Sequence, residues 1–267
     1  MLFAALIAMR ECHRAVAVKL DATIPPSYFS VLFVMASLKA PAFFKPPAWG
    51  LAVLLSFVLC VAWDFSPFNL YVSDLFGGVR GFPLQNHWFW GVGLYKAQRY
   101  AGFMFLGALF CMLWWPLGVF RLLSARQRTV LFVAVLTGAL LISLLKAGNQ
   151  ISCPWDLSLY GGPARLQSHW QWAVSDGGGG HCFPAGHPSG AFAFLAIGVF
   201  LWPIKPRQAR LWLLAAGVLG CFWSAVQVWR GAHFVGHALW TAWICFTWSV
   251  LAWHMMQALE RRSASRA

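Results

Sequence analysis

Six apolar runs, at residues 49–65, 100–117, 129–145, 190–202, 211–229 and 238–256, leave this chain few folds to choose from. A hydrocarbon core about 30 Å thick takes roughly 20 apolar residues to cross as a helix. Within lipid, the backbone polar groups must be satisfied inside each segment, which a helix does by itself. The runs therefore predict an all-α fold: a polytopic membrane helix bundle with six transmembrane helices. Several runs are short for a crossing, the fourth most of all, so their ends are expected to extend into the polar residues beside them. A buried helix of a soluble core is the alternative. It fits poorly with six such runs in a chain that is 60% hydrophobic and 10% charged, where soluble domains carry about 25% charged residues.

The net charge of +13 could point to nucleic acid, but the basic residues fall in alternate loops instead of on one patch. Arg10, Arg14, Lys19, Lys39 and Lys45 precede the first run. Arg121, Arg126 and Arg128 lie between the second and third, Lys205, Arg207 and Arg210 between the fourth and fifth, and Arg261, Arg262 and Arg266 after the last. The positive-inside rule makes these four segments cytoplasmic and turns the long loop 146–189 outward. The expected organisation is an N-terminal cytoplasmic or interfacial segment (1–48), one membrane domain (49–257) and a basic cytoplasmic tail (258–267). No signal peptide is expected, because the apolar start is short and lacks a small-residue cleavage site. The expected partner is the bilayer and not nucleic acid.

Three polar islands interrupt the apolar chain, each at an outward end of a span. The first, KAGNQISCPWDLSLYGG, begins with Lys146; the second is HCFPAGHPSG, residues 181–190; the third is QVWRGAHFVGH, residues 227–237. Ionisable groups near membrane depth are costly and normally face a bundle interior or wet cavity, so their convergence argues for a site. Lys146 and Arg230 supply fixed positive charge for an oxyanion. His187 at a helix start adds backbone N–H groups and the helix dipole, and Gly186 lets the backbone approach a ligand. His233 can be a nucleophile if a neighbour holds its imidazole in the right tautomer.

These islands resemble the three motifs of the type 2 phosphatidic acid phosphatase superfamily. Those motifs are Lys, six residues, Arg-Pro; Pro-Ser-Gly-His; and Ser-Arg, five residues, His, three residues, Asp. Here they read Lys146, six residues, Cys153-Pro154; Pro184-Ala185-Gly186-His187; and His233 followed by His237. The stretches FPLQNHWFW, CPWDLSLYGG, CFPAGH and RGAHFVGH look like a bacterial integral-membrane branch of that family, over roughly residues 64–240. The resemblance implies that His233 attacks phosphorus to give a phosphohistidine, that His187 protonates the departing oxygen, and that Lys146 binds phosphate oxygens. It implies a lipid phosphate substrate, an inner-membrane protein with a periplasmic site, and chemistry with no metal or cofactor.

The sequence departs from the motifs at Cys153, Ala185, Gln227 and His237. Arg230, three residues past Gln227 and on the same helix face, can reach the phosphate in place of the family arginine. His237, one turn after His233, is expected to orient it, with Asp156 as the nearest alternative carboxylate. Gln227 and Ser189 complete the candidate set as possible support. Cys153 and Cys182 share the outward loop, where an oxidising compartment permits a disulfide; two free thiols are the alternative. His87, His169 and His181 are read as interfacial or hydrogen-bonded residues, Asp176 as a turn residue, and 177–180 as a turn without phosphate-cradling geometry. The competing functions are a lipid phosphotransferase, a non-catalytic lipid-binding or transport protein, and a metal or haem site built on His233 and His237 with His181 and His187.

Overall fold

Ser124 stops the chain from entering a helix one turn too early: its Oγ accepts from the Gln127 amide (3.1 Å), and the Gln127 side chain accepts from the Ser124 amide (3.0 Å). Such a capping box satisfies two of the orphan donors at a helix start. Similar local logic sets the other elements of the chain, whose computed structural model describes residues 49–172 and 174–265. The helices are α1 (Trp49–Asp64), α2 (Phe68–Asp74), α3 (Leu94–Cys111), α4 (Ala125–Gly148), α5 (Ser189–Phe192), α6 (Leu195–Leu201), α7 (Pro206–Trp229) and α8 (Val235–Ala264). A π-helical turn, Trp88–Gly93, leads into α3, and Pro206 occupies the first turn of α7, where its missing N–H costs nothing. Among the described residues there is no β-strand, only isolated bridges at Gly78–Gly81 and Leu157–Ala164.

Each apolar run overlaps a helix, but run 100–117 leaves α3 at Cys111 and run 190–202 is split between α5 and α6. Three or four crossings among the described residues, instead of the six expected, are therefore long and apolar enough. α4, α7 and α8 are each long and apolar enough to cross a membrane, and α1 with α2, bent by 66°, makes a fourth crossing if the pair is one span. α5 and α6 together form a shorter apolar segment, Ser189–Leu201, broken after Phe192. The outer surface inverts that of a soluble protein: Leu55, Met104, Leu144, Val218 and Met255 are all exposed, as a lipid-facing surface requires. The protein is a multi-pass membrane protein. The expected segment 1–48 lies outside the described residues, and Arg261 and Arg262, expected in a tail, occupy the last turn of α8.

α8 is the central strut, packing against α1, α4, α6 and α7. Small residues allow the close approach, as they do between helices in lipid. Gly138 of α4 faces Trp248 of α8, Gly198 of α6 faces Leu213 of α7, and Gly220 of α7 receives the ring of Phe192 from α5. The bundle has two chemically distinct ends. At one, Arg126 meets Ser263 (3.3 Å) and Gln127 meets Glu260 (3.5 Å), close to the starts and ends of α4 and α8. The 24 residues of α4 then carry the chain about 36 Å to Lys146, where the three polar islands gather.

At that end one glycine fixes the chain path. Gly231 has φ +73°, and a Cβ there would overlap the ring of Phe82, which is buried against Tyr160 (4.9 Å between centroids). Gly231→Ala is expected to cost about 2–3 kcal/mol through backbone strain and overpacking, seen as a thermal midpoint several degrees lower in detergent.

Candidate active site

Short contacts lock the three islands together in pairs. A Cys153–Cys182 disulfide joins the first to the second, and the Cys182 and His181 amides donate to the carbonyls of Ile151 and Asn149 (2.9 Å each). The Trp155 amide donates to the Gly231 carbonyl (2.9 Å), joining the first to the third. Thr241 Oγ, one turn past His237, donates to the Ala185 carbonyl (2.8 Å), joining the second to the third. Asp176 holds the long loop by accepting from the Ser152 amide (2.6 Å), the Ser152 hydroxyl (2.7 Å) and the Gly178 amide (3.1 Å). It is thus the turn residue the sequence indicates. The glycines that follow it wrap this carboxylate and Ser152, with the Gly180 amide 3.0 Å from Ser152 Oγ.

Lys146, in the last turn of α4, lies along Gly186: a Cβ at that glycine would sit 3.4 Å from Lys146 Cδ and 3.7 Å from Nζ. Tyr95 packs on His187 at 4.3 Å between ring centroids, and the guanidinium of Arg230 lies 5.6 Å over the rings of both Tyr95 and Trp155. Arg230 is buried. It donates to the Gln85 carbonyl through Nε and Nη2 (3.3 Å each) and to Gln227 Oε1 through Nη1 (3.4 Å). Gln227, which stands at the arginine position of the third motif, therefore holds Arg230. Ser189 Oγ donates to the Gly186 carbonyl (2.6 Å) and lines the same cavity. Asp156 does not join this group: its carboxylate accepts from the neighbouring Trp155 indole (2.9 Å) and burial pushes its pKa up.

Tyr95, Lys146, Gly186, His187 and Ser189 border a cavity of about 390 Å³. Its head is polar and cationic, with Lys146, Arg99, His187, Tyr95 and Gln98. Its body runs down between α3 and α4 past Val135, Leu136, Ala139 and Phe194. Phe103 and Leu140 line it and are also exposed on the outer face, so the apolar part opens toward the lipid side of the bundle. Tyr95, Gln98, Arg99, Gly102, Phe103 and Leu106 line it from α3. The sequence reading missed them, although their i, i+3, i+4, i+7 spacing is the signature of one helix face.

His233 is buried, at 3% exposure, and is not among the residues that line this cavity. Its Nδ1 lies 3.3 Å from the Cys182 sulfur, and the Cys182 backbone favours its protonation. Burial first, then the charges of Lys146, His237 and His187, hold its pKa well below the usual imidazole value. His237, expected to orient His233, does not: the ring centroids are 5.9 Å apart, no hydrogen bond joins them, and His237 Nδ1 has no partner among the described residues. The cause is local. α8 begins only at Val235 and Phe234 is extended, so His233 precedes the helix and one-turn spacing does not apply. The helix dipole expected at His187 is also small, since α5 has only four residues. The metal alternative loses its ligand set as well. The grouping of ligand types found among the described residues, Cys153, Cys182 and His233, has both thiols consumed by the disulfide, and His181 is exposed, its Nδ1 3.3 Å from the Lys146 carbonyl.

His187 is pushed down to about 4 by burial and then by Lys146, Arg230 and Arg99. A histidine whose folded pKa lies below its unfolded value of about 6.5 takes up its proton more readily in the unfolded chain between those two values. Stability is then complete above about pH 6.5 and falls as pH drops toward 4. His187 alone should cost about 2 kcal/mol at pH 5, so the thermal midpoint in detergent is expected to be lower at pH 5 than at pH 7.5, and less so in His187→Gln.

The fold and the cavity together define an all-helical, multi-pass membrane protein with a cationic cleft at one end of its bundle. The sequence pattern of the PAP2 superfamily matches residues 127–261, just over half of the 267 residues, and the chain belongs to that superfamily. A crystal structure of a transmembrane PAP2 type phosphatidylglycerolphosphate phosphatase from Bacillus subtilis is similar at 17% identity, with 82% of this chain and 97% of that one covered and a TM-score of 0.45. No curated protein matches the chain.

Proposed function

We propose that this protein is a lipid phosphate phosphatase of a bacterial inner membrane, working through a phosphohistidine at the non-cytoplasmic face. Superfamily membership supports phosphatase-type chemistry. The observation that carries the lipid reading is the single cavity with a cationic head and an apolar body open toward the bilayer side. A phosphate fits among Lys146, Arg99 and His187, while an acyl or prenyl chain lies between α3 and α4. The basic residues at the other end of the bundle support a cytoplasmic assignment for that end.

In this reading the nucleophile is His233 Nε2, because Nδ1 packs against Cys182. Nε2 attacks phosphorus as the bond to the lipid oxygen breaks, and His187 gives its proton to that oxygen. Water then attacks phosphorus, the P–N bond breaks, and the water proton returns to His187. Lys146 and Arg99 offset the charge on the equatorial oxygens and Arg230 adds a buried positive charge nearby, the kind of fixed electrostatic stabilisation that dominates many such reactions. An incoming phosphate dianion also counters the three cations that depress His187, so the acid gains its proton only with substrate bound. A phosphotransferase would differ only in using a lipid hydroxyl in place of water.

The test is phosphate release by the purified protein from mixed micelles of several lipid phosphates. Vanadate is expected to inhibit and chelators to leave the rate unchanged. A folded protein that releases no phosphate from any of them would favour a lipid-binding or transport role.

A further inference from the structure

The family motif pairs its nucleophilic histidine with a carboxylate, and this chain has His237 there instead, so where the compensating negative charge sits is an open question about its own residues. Five carboxylates lie among the described residues, and four are engaged elsewhere. Asp176 accepts three loop hydrogen bonds, Asp156 accepts from Trp155, Asp74 accepts from the Tyr160 hydroxyl (2.7 Å), and Glu260 lies at the opposite end of the bundle beside Gln127.

The fifth, Asp64, ends α1 and points into the bundle. One oxygen, Oδ2, meets His169 Nε2 at 3.1 Å and accepts from the Trp240 indole at 2.8 Å. Both side chains of the Asp64–His169 pair are only 9% exposed. His169 is stacked on Phe183 (4.1 Å, 18°), and its edge faces His237 at 5.7 Å between centroids; His237 in turn lies 5.9 Å from His233. Asp64, His169 and His237 line a second cavity of about 430 Å³, together with Asn69, Gln167 and Phe234. Three buried polar atoms of its lining residues have no hydrogen-bond partner among the described residues: Asp64 Oδ1, Gln167 Oε1 and His237 Nδ1. A buried polar group without a partner is costly, and a polar cavity of this size has room for bridging water.

We propose that Asp64 is a positioning residue that supplies, across His169 and His237, the buried negative charge that the nucleophilic His233 lacks in its own motif. The proposal rests on the phosphohistidine reading above. As His233 Nε2 takes the phosphoryl group its imidazole becomes cationic, beside Lys146, His187 and Arg230. Asp64 is the carboxylate placed to offset that charge without entering the phosphate cavity. Across two ring spacings the attraction is modest, a roughly tenfold effect on rate at an effective dielectric constant near 20.

The experiment compares full-length wild type with Asp64→Asn and Asp64→Glu in detergent, using a lipid phosphate that wild type hydrolyses. The expected result is a kcat about tenfold lower for Asp64→Asn, with KM and vanadate inhibition unchanged, and substantial recovery in Asp64→Glu. An unchanged kcat in Asp64→Asn would overturn the proposal, and so would a fall in kcat accompanied by an equal rise in KM that Asp64→Glu does not repair. A second readout does not depend on turnover: with ¹⁵N-histidine labelling, Asp64→Asn should shift the ring nitrogen signals of His237 and His233 as well as those of His169, and spectra in which only His169 changes would sink the idea. Should wild type hydrolyse no lipid phosphate, the phosphatase reading fails on that result while the spectra still decide the link from Asp64.

Discussion

His233→Ala is expected to lower phosphate release from lipid phosphates by at least about a thousandfold, because in the proposed mechanism His233 forms the covalent intermediate. His233 is buried, so stability needs its own measurement. The smaller alanine leaves a gap beside the Cys153–Cys182 bond, yet the disulfide and the pairwise backbone bonds between the islands persist. The thermal midpoint should therefore move by only a few degrees while activity disappears. A variant that keeps a tenth or more of wild-type activity would remove His233 from the nucleophile's role. Wild type quenched in alkaline SDS should carry an alkali-stable, acid-labile phosphoryl group that the variant lacks.

The second large effect is expected at Lys146. Its ammonium heads the amphipathic cavity beside Gly186 and His187, and Lys146→Met keeps most of the stem that packs there while removing the charge. Loss of one preorganised cationic donor to a transferring phosphoryl group costs about 10²–10³ in kcat/KM. Vanadate inhibition should weaken in parallel, since the same ammonium would hold its oxygens. Equal vanadate inhibition in variant and wild type would mean that Lys146 does not contact the phosphate. His187 should also become easier to protonate in this variant, because one of the charges depressing it is gone.

The apolar runs made the helices legible because lipid leaves a backbone few other states. The Cys153–Cys182 pairing was equally accessible, from two cysteines in one long loop. Gln227 and Arg230 obeyed the one-turn rule because both belong to the end of α7, where the helix continues up to the Arg230 cap. The same rule failed for His233 and His237, since the helix that would have aligned them starts between them. Asp64 and His169, 105 residues apart, carry no local signal at all; only the packing of α1 against α8 brings that carboxylate inside. Arg99 lay in plain sight at the head of an apolar run, but counting runs draws attention away from the face on which a charge sits.

The apolar body of the cleft, bordered by Phe103 and Leu140 on the outer face of the bundle, has a kinetic consequence. A substrate that slides in sideways from its own leaflet is encountered in two dimensions. Turnover should then track its mole fraction in the micelle or vesicle, not its concentration per litre. Diluting the substrate with inert detergent at constant total amount should slow the enzyme, whereas adding buffer should not.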